Sequence, residues 1–530
     1  METTDESRTL LDTVLEYMST LDSGLGIIVV TMLVIAGIYF TIRTRGLQFR
    51  LLPEMVRSVV AKPDENDKEN GVSPFRAFTI SAASRVGTGN VAGVAIAIVL
   101  GGPGAVFWMW VMAIFGAATA FVESALAQLY KVRGGDGYVG GPAYYIRNGL
   151  GWKWVAVLFA VIITITYGFV FNAVQSNSIS ESVQANLGES TNTALIVGLF
   201  IAAITGVVIF GGVRRLSAVT NVLVPVMATG YVAVALFVII LNIGEIPGVI
   251  ALIFGHAFGL REVAGAAVGF SMIMMGIRRG LFSNEAGMGS VPNAAATAAV
   301  SHPAKQGFTQ SIGVYFDTLI VCSATAFIIL LGNPAYGEGE AIGMAVTQSA
   351  LQFNVGNWAG PFLTVVIFFL AWSSVLGNTY YGEANIRYLA QKNAAPFITA
   401  YRIAVMLCVL GGALGTVAVV WNLADIFASI MATINLIVLI PLGGIALKLL
   451  KDYERQRKDG LDPVFRASSI PEAKGVTLWR DGETQAMHRV DHYGDSIRQD
   501  LRTEGHRGHG GRGGRGRGSG SSGSGSSAAE

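Results

Sequence analysis

Charge is what this chain lacks most. Of 530 residues only 14% are Asp, Glu, Lys or Arg, against about 25% in soluble domains. The deficit falls in long apolar blocks, which excludes a soluble globular protein and reads as an all-α polytopic membrane protein. Cysteine is nearly absent. Cys322 and Cys408 both lie in predicted spans, so neither a disulfide framework nor a cysteine zinc site is available. Outside the C-terminal tail the only histidines are His256 and His302, and neither has metal-ligand company. A membrane enzyme would need a nucleophile with its base, or a metal cluster, and neither is legible, so the chain is read as no enzyme and as needing no cofactor. A net charge of +2 gives no global reason to expect nucleic acid. The N-terminus is acidic (Glu2, Asp5, Glu6, Asp12, Glu16) where a signal peptide is basic, so the first apolar block is expected to be retained.

What is present is a series of spans. Apolar blocks predict eleven transmembrane helices, at 24–42, 74–102, 105–130, 153–180, 193–210, 217–241, 261–276 with a continuation, 309–331, 358–388, 399–420 and 423–450. The block at 247–258 is too short to cross and reads as re-entrant or interfacial. Three regions follow: an extracytoplasmic segment 1–23, a transmembrane domain 24–450, and a cytoplasmic tail 451–530. Seventeen lysines and arginines lie in alternate loops (43–76, 131–153, Arg214, Arg215, Lys305, Arg387, Lys392, Arg402), and only Arg8 and Arg261 lie on the other side. The positive-inside rule therefore puts the N-terminus outside and the C-terminus in the cytoplasm. Residues 451–500 are polar with few apolar anchors, and 502–517 carries five arginines among glycines. The Gly/Arg/Ser-rich end cannot bury a core and is expected to be disordered. A solubilising tail is the plain reading; contact with anionic lipid or RNA is the alternative.

The stretch Ser81-Ala-Ala-Ser-Arg-Val-Gly-Thr-Gly-Asn90 organises the rest. Its apolar run is long enough to cross a bilayer, yet Arg85 is a full charge, Gly87 and Gly89 weaken the helix, and Thr88 and Asn90 are polar. Lipid tolerates a broken helix only where it is buried in protein or lines a cavity. Secondary transporters bind substrate and ion at such breaks. A glycine packing face is the alternative. A dinucleotide loop is not supported, since no strand precedes the glycines and no acid follows at the required distance. Five helices later, 261–276 is again short and interrupted by Gly265, Gly269 and Gly276, which predicts a 5+5 inverted repeat with one extra N-terminal helix.

Three longer motifs carry a resemblance. The run from Val86 to Tyr130 (VGTGNVAGVAIAIVLGGPGAVFWMWVMAIFGAATAFVESALAQLY), GGPAYYI at 140–146 and RRGLFSNEAGMGSVPNAA at 278–295 resemble the alanine-or-glycine:cation symporter family, as does DYERQRKDGLDPVF at 452–465. The resemblance covers about residues 20–465. It implies a leucine-transporter-type fold with one added helix, importing a small neutral amino acid with sodium, sometimes protons, across the plasma membrane of a bacterium or archaeon. A membrane sensor or receptor on the same scaffold is the alternative.

An amino-acid zwitterion needs partial positive charge for its carboxylate and acceptors for its ammonium, and an unwound helix offers both. The carboxylate is assigned to the amides around Thr88, Gly89 and Asn90. By resemblance the ammonium faces the sixth core position, with Ser271 and Gly276 as the expected break. Asn172 and Gln175, three apart, share a helix face. Gln175 matches a polar position of the family's VQ(A/S)NS motif, whereas Asn172 is equally read as bonded to a neighbouring helix. The resemblance places sodium between the carbonyls of Ala83 and Val86 and the hydroxyls of Ser373 and Ser374. Such serines otherwise bond back to their own helix. Glu123 resembles the acid that braces the broken backbone in this fold. Arg85 and Glu383 form either an inner gate pair or lasting pairs with other partners. Arg278, Arg279, Glu285 and Asp317 are further charges inside spans, where charge is costly and seldom idle. Alanine-specific relatives commonly run Ser-Thr-x-Leu-Gly-Trp on the eighth core helix; this chain has Ser373-Ser-Val-Leu-Gly-Asn378. An amide in place of an indole points to a larger or more polar substrate, glutamine first, with Asn378 in the pocket.

Overall fold

The structure is a computed structural model, and it describes residues 10–63, 71–134, 137–258, 266–335, 343–479, 488–490 and 496–498. Among the described residues nine helices are long and apolar enough to cross a membrane, and a tenth span forms if one bent pair is counted together. In chain order these are α1 (Leu10–Arg43), the bent pair α2 (Pro74–Arg85) and α3 (Gly89–Gly101), α4 (Ala105–Leu129), α5 (Lys153–Leu187), α6 (Thr191–Ile209) and α7 (Gly212–Leu241). There follow the short apolar α8 (Ile246–Ala257), α9 (Ala266–Asn284), the single-turn α10 (Pro292–Ala295), α11 (Pro303–Leu331), the short α12 (Met344–Val355), α13 (Ala359–Ala390), α14 (Ala394–Leu414) and α15 (Val417–Lys458). At α8 the structure agrees with the sequence, which has too few apolar residues there to cross. The predicted span at 261–276 falls partly outside the described residues; its described part is α9.

Small residues decide how these helices pack. Between like-apolar surfaces, association depends on close backbone approach rather than on exclusion of water. The α4 stretch from Gly116 to Ala120 is buried and all Ala or Gly but for Thr119, and α11 lies against α4. A methyl at Gly307 of α11 would meet the carbonyl of Phe121 at 2.9 Å. Helix α4 also packs on α9, α1 on α15, and α5 on α13 and α14, so the two bent elements sit in the middle.

Two helices run past the expected domain boundaries. Helix α1 covers Leu10–Arg43, so 10–23 is helical ahead of the predicted span, and Asp22, nearly fully buried, pairs with Arg278. A charge satisfied by a partner inside the protein does not end a helix. Helix α15 runs through Lys451 to Lys458, and the chain then folds back along the basic end, the end that carries the Lys/Arg-rich loops. Val464, Phe465, Ile470 and Trp479 are buried there. Phe465 N–H donates to the Ser301 carbonyl at 2.9 Å, and Trp479 Nε1 donates to that of Gln128 at 3.2 Å. The Lys131 ammonium lies 3.9 Å from the Tyr138 ring centre and 4.7 Å from that of Trp479. Four irregularly spaced anchors leave no periodic signal, so the sequence read this stretch as polar tail. The Arg/Gly run at 502–517 lies outside the described residues.

Candidate functional site

The predicted break is present. Between α2 and α3 the axis turns by 54°, and Val86 leaves the helical region at φ −79°, ψ 85°. Polar side chains take up the freed amides: Gly87 N–H donates to Asn90 Oδ1 at 2.9 Å and Thr88 N–H to Gln175 Oε1 at 3.1 Å. Gln175 therefore reaches the cradle, as its assignment requires. Thr88 is fully buried and its hydroxyl has no partner among the described residues, which marks a place where a bound group is expected. Gly87 is needed for close approach: a methyl there would lie 2.8 Å from Gln175 Oε1 and 3.1 Å from Ser374 Cβ. At Gly89 it would meet the Phe282 ring at 3.0 Å. Asn172 donates to the Gly168 carbonyl at 3.0 Å and to Thr379 Oγ1 at 3.4 Å, while its Oδ1 is unpartnered.

The proposed ion ligands are brought together only in part. Ser374 Oγ is 3.5 Å from the Val86 carbonyl and 3.2 Å from that of Leu370. Ser373 donates to Leu370 O at 2.7 Å and so behaves as a self-bonded helix serine. The Ala83 side chain packs beside Val224. Among the described residues no group of three or more His, Cys, Asp or Glu could hold a metal. An ion here would rest on hydroxyl and carbonyl oxygens, which suits a hard monovalent cation.

The second break is not where it was expected. Helix α9 runs unbroken through Ser271 and Gly276 to Asn284. A methyl at Gly276 would meet the Trp108 Cβ at 2.6 Å, so this glycine serves packing against α4. The chain unwinds afterwards, at 285–291, where Glu285, Gly287 and Gly289 have φ of 57°, 86° and 81°. Left-handed backbone is cheap for glycine and costs energy at a glutamate, a strain usually kept for function. Glu123 of α4 is bonded to this turn. Its carboxylate accepts from Gly287 N–H and Gly289 N–H, both at 3.1 Å, and from Asn435 Nδ2 at 2.9 Å.

Glu285 joins the two breaks. It accepts from Ser84 Oγ and from Ser290 Oγ, each at 2.7 Å, and Ser84 Oγ also lies 2.6 Å from Asn378 Oδ1. Tyr167 and Tyr381 face the same carboxylate. Asn378 thus sits on the basic side of the break, bonded to Ser84, with Nδ2 unpartnered. The Trp372 indole N–H donates to Thr205 Oγ1 at 3.1 Å. The gate pair of Arg85 with Glu383 is not formed. Glu383 is held by Arg402 at 2.8–3.1 Å and Arg387 at 2.9 Å. Arg85 donates to the Gln310 carbonyl at 3.3 Å. Glu383 is thus paired with other residues here, and Arg85 is bonded to a backbone carbonyl.

On the far side of the break lies a lid that sequence reasoning missed. Phe171, Phe282 and Trp421 pack in a row, each ring tilted 40° to the next, with ring centres 4.7 and 5.0 Å apart. Arg279 covers Trp421 at 5.0 Å and pairs with Asp425. Three layers therefore enclose the break: an ion-paired aromatic lid, the Thr88–Gln175 cradle, and the Ser84–Glu285–Asn378 floor. The signal for the second break was present in the Gly-Met-Gly of 287–289, but the expectation followed the earlier glycines. The lid has no local signature, because its members lie on three distant helices.

A family model described as the sodium:alanine symporter family matches residues 9–467. The amino-acid carrier protein AlsT of Bacillus subtilis is 52% identical over 85% of this chain and 94% of its own length. The probable sodium/glutamine symporter GlnT of Bacillus subtilis is 48% identical over 86% and 94%. The sodium/alanine symporter AgcS of Methanococcus maripaludis is 37% identical over 80% and 93%. Among solved structures, MhsT in complex with L-phenylalanine superposes with a TM-score of 0.51 at 13% identity, over 76% of this chain and 92% of that one. That likeness bears on fold alone.

Proposed function

The chain belongs to the sodium:alanine symporter family, and from that premise we propose that it imports a small neutral amino acid with sodium by alternating access. The observation that carries this is the pair of unwound turns, at 86–88 and 285–291, enclosed by the lid and the floor and tied together by Ser84 and Glu285. Counting α9 as a span gives eleven, arranged as a 5+5 inverted repeat after α1. The basic end is then cytoplasmic, and the N-terminus lies outside. The substrate carboxylate takes the amides at Thr88, Gly89 and Asn90 with the Thr88 hydroxyl, and Gln175 yields Thr88 N–H as it enters. Sodium takes the carbonyls of Ala83 and Val86 with the Ser374 hydroxyl, while Ser373 stays bonded to the Leu370 carbonyl. Opening outward requires Arg279 to leave Asp425; opening inward requires Ser84 to part from Glu285 and Asn378.

Glutamine is the favoured substrate, with alanine, serine and asparagine as competitors. The free Asn378 amide beside Glu285 gives a carboxamide side chain both a donor and an acceptor. A relative nearly half identical is named for glutamine. The test is sodium-driven uptake of labelled glutamine into proteoliposomes, challenged with unlabelled amino acids and repeated with Asn378→Trp. Glutamine should outcompete alanine in the native protein and lose that advantage in the variant. Alanine and glycine winning in the native protein would refute the polar pocket. A sensor on this scaffold would bind and not transport.

A further inference from the structure

The segment between α1 and α2 takes no part in the site described so far. Helix α1 ends at Arg43, and Arg45 and Gly46 follow in left-handed backbone, with φ of 57° and 63°. Glycine adopts that conformation readily, whereas a residue with a side chain seldom does. The corner is nonetheless firmly built. Gly46 N–H donates to the Thr41 carbonyl at 2.8 Å, Gln48 Nε2 to Thr41 Oγ1 at 2.8 Å, and Arg50 to the Thr44 carbonyl at 3.1 Å. Past the corner run one turn of helix, Leu47–Arg50, and the nine-residue helix Leu52–Val60. Leu47 stands four residues beyond the end of a span, so it lies within roughly 14 Å of Arg43. The segment is therefore held at the basic edge of the bilayer.

Its two sides differ. Met55 and Ser58, three apart, are buried, and the helix packs on α11 and α2. The Tyr315 hydroxyl donates to the Gln48 carbonyl at 3.3 Å. Glu54 accepts from the Tyr453 hydroxyl at 2.8 Å and from Arg457 at 3.0 Å, and Arg50 pairs with Glu454 at 2.7 Å. These contacts fix how the helix is turned. Leu52, Val56 and Val60 recur every four residues on its other side, all exposed, and Phe49 is exposed as well. A row of that kind marks a protein or membrane contact.

Lipid is the occupant that its position and charge fit. On α1 the exposed stripe Ile35, Ile38 and Ile42 belongs to a membrane span and ends one residue before Arg43. Between 43 and 62 stand Arg43, Arg45, Arg50, Arg57 and Lys62 against a single acid, Glu54. Asp64, Glu65, Asp67 and Glu69 follow and lie outside the described residues. Arg50 and Arg57, though each is paired with a glutamate, keep 42% and 56% of their side chains exposed. An apolar face flanked by arginines suits a helix lying in the headgroup layer. A second copy of this chain on the same face would bring like cations together across a two-fold axis. We propose that this segment is a docking surface for anionic phospholipids. Their acyl chains cover Phe49, Leu52, Val56 and Val60, and their phosphates meet Arg43, Arg45, Arg50 and Arg57. Guanidinium forks match phosphate oxygens, and the pairs with Glu54 and Glu454 orient two of the forks without covering them.

The proposal stands or falls apart from the transport reading. A single cysteine at Val60, in the full chain freed of Cys322 and Cys408, is labelled with bimane. The protein is then reconstituted in vesicles of phosphatidylcholine and phosphatidylglycerol in equal amounts. Bromine on the chains of one lipid or the other reports, by quenching, which lipid lies against the probe. Quenching by brominated phosphatidylglycerol should exceed that by brominated phosphatidylcholine roughly fivefold. The excess should shrink as salt rises from about 50 to about 500 mM. Replacing Arg43, Arg45, Arg50 and Arg57 with glutamine should bring the two lipids to parity, whereas replacing them with lysine should keep most of the preference. Equal quenching with the native arginines overturns the proposal without any arginine variant. No quenching by either lipid also overturns it, since the face is then covered by protein. A preference that ignores salt, or that survives the glutamine set, does so too. Should the glutamine set fail to fold, the salt series with the native arginines decides alone.

Discussion

Replacing Glu123 with glutamine exchanges one oxygen for NH2 and removes a buried charge without changing shape. In the native protein the two oxygens receive three bonds, from Gly287 N–H, Gly289 N–H and Asn435 Nδ2. With the new NH2 turned toward Gly287, one of these is lost and a donor faces a donor. The remaining two become neutral bonds. Hydrogen bonds to a charged group contribute about 1.5–3 kcal/mol and neutral ones about 0.5–1.5. Relief of the buried charge's desolvation offsets part of the loss, so about 2–3 kcal/mol of support for the unwound turn disappears. Only the competent fraction binds, so the apparent dissociation constant should rise roughly 30- to 150-fold. Asn435→Ala removes one bond and should fall between native and Glu123→Gln. Equilibrium binding of labelled substrate to purified, monodisperse protein is the assay, with uptake in parallel. If Glu123→Gln stays monodisperse and binds within about threefold of native, the brace has no energetic role and the reasoning fails.

The two serines should behave differently. Ser374→Ala removes the hydroxyl facing Val86 and should raise the half-saturating sodium concentration about tenfold, whereas Ser373→Ala should stay within about twofold; equal effects would place both on the ion. His302 caps α11, with Nδ1 accepting from Ala304 N–H at 3.1 Å and Nε2 facing Asp452 at 3.3 Å. Burial pushes its pKa below the ordinary value, and Asp452 opposes the shift only in part. The neutral ring is thus the native form. Below about pH 6.5 the unfolded chain takes up a proton that the folded one refuses, so thermal stability should drop as pH falls. His302→Asn, which can still cap, should flatten that dependence in melting curves; an unchanged slope would assign it elsewhere. For orientation, single cysteines at the exposed Phe353 and Lys62, in a protein freed of Cys322 and Cys408, should label from outside and inside respectively, and the reverse pattern ends the proposed topology.

Composition and pattern determined the class of this protein, because charge-poor runs of bilayer length have few other uses and broken hydrogen bonding in lipid must be justified. The first break was legible for that reason: Gly87, Thr88, Gly89 and Asn90 stand together inside an apolar run. Glu123 was singled out by the resemblance, and its bonds fall on the second unwound turn, 287–289. What only the tertiary structure decided depends on distant helices meeting. The second break moved from Gly276 to 285–291, since a glycine that packs against Trp108 and a glycine at positive φ look alike in one dimension. Glu383 found Arg402 rather than Arg85 because α13 and α14 lie side by side. The Phe282–Trp421 lid and the Ser84–Glu285 floor unite residues up to some hundreds of positions apart. Membrane burial demands a partner for every such polar group but does not say which helix brings it; packing chooses that, through the small residues that let helices approach.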